Sequence, residues 1–307
     1  MPHDAEPRSP AEQPTPDDLA AGDLLADDEV QLPGGPRLSV RRAHGAGRAF
    51  LLVHGLASNA RVWDGVARRL AAAGHPVVAV DLRGHGRSEA PPDGYDTDTC
   101  ADDLDAFIRV LGLTGERAPV AAGQSWGGNV VVSLSARHGT VAGVALVDGG
   151  WISLGERFST FEECWAQLAP PQFPPRPLVE VRSMFRRWHP DWPEEGIEGT
   201  LGNFTVDGEG NARPALARDH HRDIVHSLWA SDVTRQLPQV AVPSLVAPAV
   251  GGDDDERRAG PEQALALLPD AEVSWYVGAD HDLHAQHPDR LAADLVGLAA
   301  RVEAGAR

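Results

Sequence analysis

Ser125 stands in Gly123-Gln124-Ser125-Trp126-Gly127, between an apolar run at 119–122 and a helix-like stretch at 129–138. Small residues two before and two after a serine let a strand turn sharply into a helix, with the hydroxyl lifted clear at the bend. The helix then aims its first amides at any anion formed beside that hydroxyl. Such a serine can attack a carbonyl carbon if a base takes its proton, a carboxylate holds the base, and donors face the developing oxyanion.

The base candidate is His281, in Val277-Gly278-Ala279-Asp280-His281-Asp282-Leu283, directly after the expected last strand and ahead of the helix that Pro288 opens. His284 and His287 follow at intervals of three. With no HExxH and no carboxylate at a recognised ligand spacing, no metal is expected, and these two read as pocket-edge or helix-start residues. His220, His221 and His226 read as surface or packing residues. The oxyanion donors would be the backbone amides of Trp126, next after the serine, and Leu56, in Val53-His54-Gly55-Leu56, where the ring of His54 braces the loop. The chain has no lysine, so all 27 cations are arginine, which excludes a lysine Schiff base and a Ser-Lys dyad.

The elements that must position these residues alternate along the chain. Strands are expected at 37–41 and 49–53, joined as a hairpin, and then at 76–80, 119–122, 141–147, 242–247 and 272–276; helices are expected at 60–73, 99–111, 128–137, 261–268 and 289–303. Strands alternating with helices imply a parallel sheet covered on both faces. The alternation lapses between Gly149 and Val242, so 151–238 reads as an insertion between two strands of one sheet. That insertion holds five of the eight tryptophans (Trp151, Trp165, Trp188, Trp192 and Trp229) and five of the seven phenylalanines. It reads as a mostly helical lid with an aromatic core of its own, one or two of whose rings face a substrate.

Composition sets further bounds. The formal charge of −18 argues against nucleic acid or anionic lipid as a partner, because both require concentrated positive charge. Residues 1–30 carry nine acidic side chains against one basic, Arg8, with five prolines, and read as a disordered acidic leader. No run approaches the roughly 18 apolar residues of a membrane span, and no secretory signal is evident, so a cytoplasmic location is expected. Cys100 and Cys164 lack CxxC spacing and read as buried thiols.

Five landmarks in order make the chain resemble α/β-hydrolase-fold proteins over residues 37–305. They are Leu52-Val53-His54-Gly55, the run Asp81-Leu82-Arg83-Gly84-His85-Gly86-Arg87-Ser88, the elbow around Ser125, Leu146-Val147-Asp148-Gly149-Gly150, and Gly278-Ala279-Asp280-His281. The resemblance implies an α/β-hydrolase fold: a mostly parallel sheet with helices on both faces, a core of 31–150 and 239–307, and a mainly helical cap at 151–238. It also implies where the acid stands. In most similar enzymes it follows the strand after the lid, which favours Asp254, three residues after Gly251 and 27 before His281. About two extra residues precede the glycines, leaving Asp253 and Asp255 open. The rival is Asp148, 23 residues after Ser125, the position from which a branch resembling some haloalkane dehalogenases recruits its acid.

The function expected is a cofactor-independent serine hydrolase cleaving an ester, lactone or related acyl bond of a small, largely apolar substrate. Dehalogenases and epoxide hydrolases of the resembling families attack sp3 carbon with an aspartate, where this chain has Ser125. Carbon–carbon bond hydrolysis, thioester cleavage and perhydrolysis use the same triad, and a small-molecule sensor on this fold is the reading from another class. The oligomeric state is not encoded in any of these features.

Overall fold

The computed structural model describes residues 24–252 and 255–305. The first six strands are β1 (Ala26–Gln31), β2 (Arg37–Ala43), β3 (Phe50–Val53), β4 (Val77–Val80), β5 (Val120–Gln124) and β6 (Gly143–Val147). The inserted segment contributes β7 (Arg176–Pro177), β8 (Phe204–Val206) and β9 (Asn211–Pro214); β10 (Ser244–Ala247), β11 (Ala249–Val250), β12 (Ala271–Val273) and β13 (Tyr276–Val277) follow it. The central sheet has the order β1-β2-β4-β3-β5-β6-β10-β12. The β1–β2 and β2–β4 pairs are antiparallel, and the pairs from β4 across to β12 are parallel.

Alternation along these short strands divides two apolar cores. Leu51 and Val53 of β3, Val78 and Val80 of β4, and Ala121 of β5 face one side. Phe50 and Leu52, Val77 and Ala79, and Val120 and Ala122 face the other. A strand buried on both faces carries apolar residues at every position, which is why these segments read as continuous runs. Helices α1 (Asp64–Ala72), α2 (Thr97–Val110) and α3 (Trp126–His138) follow β3, β4 and β5. Leu104 and Phe107 of α2 and Val131 and Leu134 of α3 pack into the first core, Val66 and Leu70 of α1 into the second.

Between β6 and β10 lie α4 (Phe161–Leu168), α5 (Leu178–Trp188), α6 (Glu194–Leu201) and α7 (Arg218–Ala230), with a three-stranded sheet of order β7-β9-β8. After β10 come α8 (Ala259–Leu267), α9 (Leu283–Gln286) and α10 (Pro288–Gly305), the last of which packs Leu291, Leu295 and Leu298 into the second core. Among the described residues no helix is long and apolar enough to cross a membrane.

Three local expectations need correction. β2 and β3 do not form a hairpin: β4 lies between them, and the antiparallel partner of β2 on its outer side is β1. The acidic leader was expected to extend to residue 30, yet β1 begins at Ala26. The arginines of the sheet and its neighbours compensate its carboxylates: Asp27 meets Arg41 at 2.8 Å, Arg61 at 2.6 Å and Arg87 at 2.9 Å, and Asp28 meets Arg42 at 2.8 Å. The part of the leader before residue 24 lies outside the described residues. The last expected strand is also divided, because the chain leaves β12 and pairs β13 with β11 in a separate parallel pair.

Candidate active site

β5 ends at Gln124, and Ser125 turns the chain into α3 with φ 53° and ψ −124°. A non-glycine residue at positive φ is strained by about 1–3 kcal/mol and persists only where its surroundings fix it. Here they do so by forbidding side chains. A Cβ on Gly123 would come 2.2 Å from the carbonyl oxygen of Gly127, and one on Gly127 would come 2.4 Å from that of His54. A Cβ on Gly149 would sit 2.1 Å from the Ser125 carbonyl, so the turn after β6 is pressed directly against the elbow.

That turn carries Asp148, itself at φ 43°. Its Oδ1 accepts the Ala249 amide at 2.9 Å, and its Oδ2 accepts Nδ1–H of His281 at 2.6 Å. Both carboxylate oxygens are therefore engaged, and His281 is fixed as the tautomer that leaves Nε2 free of protein partners among the described residues. The His281 ring is 56% exposed and Asp148 17%, so the pair opens toward solvent through the imidazole. Burial works against protonation of His281, but the hydrogen bond to Asp148 and the charges of Asp282 and Asp148 outweigh it and hold its pKa above the usual histidine value.

The elbow and the histidine loop are also joined through Gln124, a fully enclosed side chain whose Nε2 donates to the carbonyl of His281 at 3.2 Å. The Ser125 hydroxyl makes no hydrogen bond among the described residues. An imidazole held this way can take a proton from a serine hydroxyl that reaches its Nε2 and return it to a leaving group, and in ligand-free enzymes such hydrogen bonds often form only when substrate binds.

The Val53-His54-Gly55-Leu56 loop lies over the elbow, with room for only hydrogen at Gly55: a Cβ there would be 2.4 Å from Gln124 Oε1 and 3.0 Å from Ser125 Cβ. Among the described residues no acceptor meets the amide of Leu56 or of Trp126. Two buried histidines brace this loop. His54 donates from Nδ1 to the Gly55 carbonyl at 2.7 Å and accepts the Leu82 amide on Nε2 at 3.0 Å. His85 donates from Nδ1 to the Arg83 carbonyl at 2.9 Å and accepts the Ala57 amide at 3.3 Å. Burial lowers both pKa values, so each ring stays neutral and keeps one donor and one acceptor nitrogen.

The acidic run after β11 divides differently from expectation. Asp253 and Asp254 lie outside the described residues. Asp255 binds Arg257 at 2.6 Å and accepts the Gly251 amide, which closes its own loop. The carboxylate found on His281 is that of Asp148. His284 is not at the pocket edge: it is fully buried against Trp63, with ring centroids 4.5 Å apart.

A model of the alpha/beta hydrolase family matches residues 50–294, which spans every one of these positions. The chain belongs to the alpha/beta hydrolase family. Among relatives of this hydrolase, a non-heme chloroperoxidase of Streptomyces lividans is 30% identical over 267 residues, covering 80% of this chain and 89% of that protein. The 2-(acetamidomethylene)succinate hydrolase of Mesorhizobium japonicum is 26% identical over 254 residues, 81% of this chain and 86% of its own. A solved structure of E-2-(acetamidomethylene)succinate hydrolase superposes with a TM-score of 0.74 at 24% identity, covering 89% of this chain and 98% of that one, and shares the fold.

The sequence alone did not single out Gln124 or Asp280 of this alpha/beta hydrolase. Gln124 was visible as the variable position of the elbow pentapeptide, but nothing in its spacing indicated a bond to a residue 157 positions away. Asp280 accepts Nδ1–H of His189 at 3.0 Å and Nε1–H of Trp192 at 2.8 Å, both from the segment between α5 and α6. The loop bearing His281 is thus tied to the inserted segment on one side and to the elbow on the other.

Proposed function

We propose that the chain is a serine hydrolase of acyl bonds in esters, lactones or related small substrates. The observation that carries this reading is a serine at positive φ in a turn whose flanking positions admit only glycine, packed against the turn of an aspartate that holds a histidine by its Nδ1. In the reaction, Ser125 Oγ attacks the carbonyl carbon while His281 Nε2 takes its proton. The Leu56 and Trp126 amides, which meet no other acceptor among the described residues, stabilise the tetrahedral oxyanion. Collapse expels the alcohol, which takes the proton back from His281; water, deprotonated by the same nitrogen, then releases the acyl group from Ser125. Asp148 keeps the tautomer and stabilises the imidazolium, the role for which the family resemblance favours Asp254 over Asp148.

A second reading changes only the acyl acceptor. Attack of hydrogen peroxide on acyl-Ser125 would give a peracid, and full-length similarity to proteins named non-heme chloroperoxidase favours testing it. The decisive experiment is intact-mass analysis after exposure to a fluorophosphonate. One adduct on the wild type and none on Ser125→Ala supports the hydrolase reading; absence of any adduct on folded wild type removes it. Partition of the acyl-enzyme between acid and peracid at increasing peroxide then separates the two acceptors.

A further inference from the structure

The inward face of α7 belongs to the apolar clusters that include or border the two residues whose amides flank Ser125. Ile224 and Leu228 share a core with Trp126, and Val225 shares a cluster with Phe158 and Phe161 against which Leu56 packs. Polar contacts pin the helix in that position: the Thr97 amide donates to Ser227 Oγ at 3.0 Å, and Trp126 Nε1 donates to Thr97 Oγ1 at 3.1 Å. His221 lies three and four residues before Ile224 and Val225 and seven before Leu228, which puts it on the same face.

His221 is only 9% exposed, yet its ring makes no hydrogen bond among the described residues. Its nitrogens are not sealed in the interior either, unlike those of His284, which are wholly enclosed without a partner. The ring meets the edge of Trp165 with centroids 6.0 Å apart, and Trp165 packs on the same cluster as Leu56. A polar ring so deeply buried ordinarily finds a partner, because leaving it unpaired is costly. Here the nitrogens remain accessible on a ring that borders the apolar cluster against which Leu56 packs.

We propose that His221 is a specificity-determining residue that hydrogen-bonds an uncharged polar substituent, such as a hydroxyl or a ketone, on the acyl chain of the substrate; this rests on the acyl-transfer reading above. The substituent is uncharged because the ring is. Burial first, and then the charge of Arg218, lower its pKa to about 4, so at neutral pH it offers one donor and one acceptor and no charge to attract a carboxylate. The body of the acyl chain lies among Leu56, Leu154, Trp165 and Trp229, the half-buried apolar side chains around the same cluster.

The test uses aryl esters of one acyl chain in three forms, unsubstituted, 3-hydroxy and 3-oxo, each rate normalised to its reaction with hydroxide. Wild type is expected to favour at least one substituted ester in kcat/KM, by up to about tenfold, the worth of one net hydrogen bond. In His221→Phe that ratio should collapse toward one, while His221→Gln, which still donates and accepts, should keep part of it. A wild-type ratio near one, or an undiminished ratio in His221→Phe, overturns the inference while fluorophosphonate labelling of Ser125 preserves the hydrolase reading. Failure of wild type to label removes both.

Discussion

At the scale of single residues, the proposed chemistry depends on how one carboxylate is used twice. Asp148 accepts a backbone amide with one oxygen and the His281 imidazole with the other, so its orientation is set by the strand that follows the cap. Asp148→Asn should lower kcat by roughly 10^3 to 10^4, because the amide no longer enforces the tautomer. Asp254→Asn should fall far short of that loss. The pH profile supplies a second check. The base works only when neutral, so kcat/KM falls on the acid side through the His281 pKa, which Asp148 and Asp282 hold above about 6.5. Removing the Asp148 charge and hydrogen bond leaves burial, which favours the neutral ring, opposed only by the charge of Asp282, and the acid limb of the residual activity should move to lower pH. An acid limb that stays in place would mean that Asp148 does not set the pKa of the base.

At the scale of elements, the site is a meeting of three turns, after β3, β5 and β6, with the loop after β13. Local pattern made the elbow, the His54 loop and the strand runs legible, since glycine spacing and apolar continuity are properties of contiguous residues. The partner of His281 was not legible in the same way, because a side-chain contact across 133 positions leaves no local periodicity. β1 was obscured for a related reason: its acidic composition resembles a solvated tail until the arginines opposite it are known. The cap adds one link that pattern could not reveal. Asp280 receives two hydrogen bonds from the segment joining α5 and α6, and Trp192, which donates one of them, is packed with Val62, Ile197 and Ala285. Asp280→Ala leaves a buried indole donor unpaired, at a cost of about 1–3 kcal/mol. Hydrogen exchange in residues 189–201 should accelerate with it, and unchanged exchange there would show that the contact does not restrain the cap.

At the scale of the whole molecule, the sheet is closed on one side by a strand whose acidic residues are matched to basic neighbours. β1 also buries Val30, and the chain around it buries Leu25 and Leu32. Relative to a chain beginning at Leu24, one beginning at Leu32 should melt lower by several degrees, the result of losing two buried aliphatic side chains and the Asp27 ion-pair cluster. Coincident melting curves would show that β1 contributes little. The same truncation should not alter the identity of the labelled serine, since β5 and α3 lie several strands away. The inserted segment and the sheet are linked through shared packing, since Ile224 and Leu228 lie in the same core as Trp126. Asp148 comes directly after β6 and is followed by Gly149, Gly150 and Trp151, so the residue bonded to His281 is the first on the path from the sheet into the insertion. Exchanging this cap for another would therefore not be a modular graft: the donor segment must inherit the Asp-Gly-Gly turn at its root, and substrate range and proton transfer would drift together in descendants that vary there.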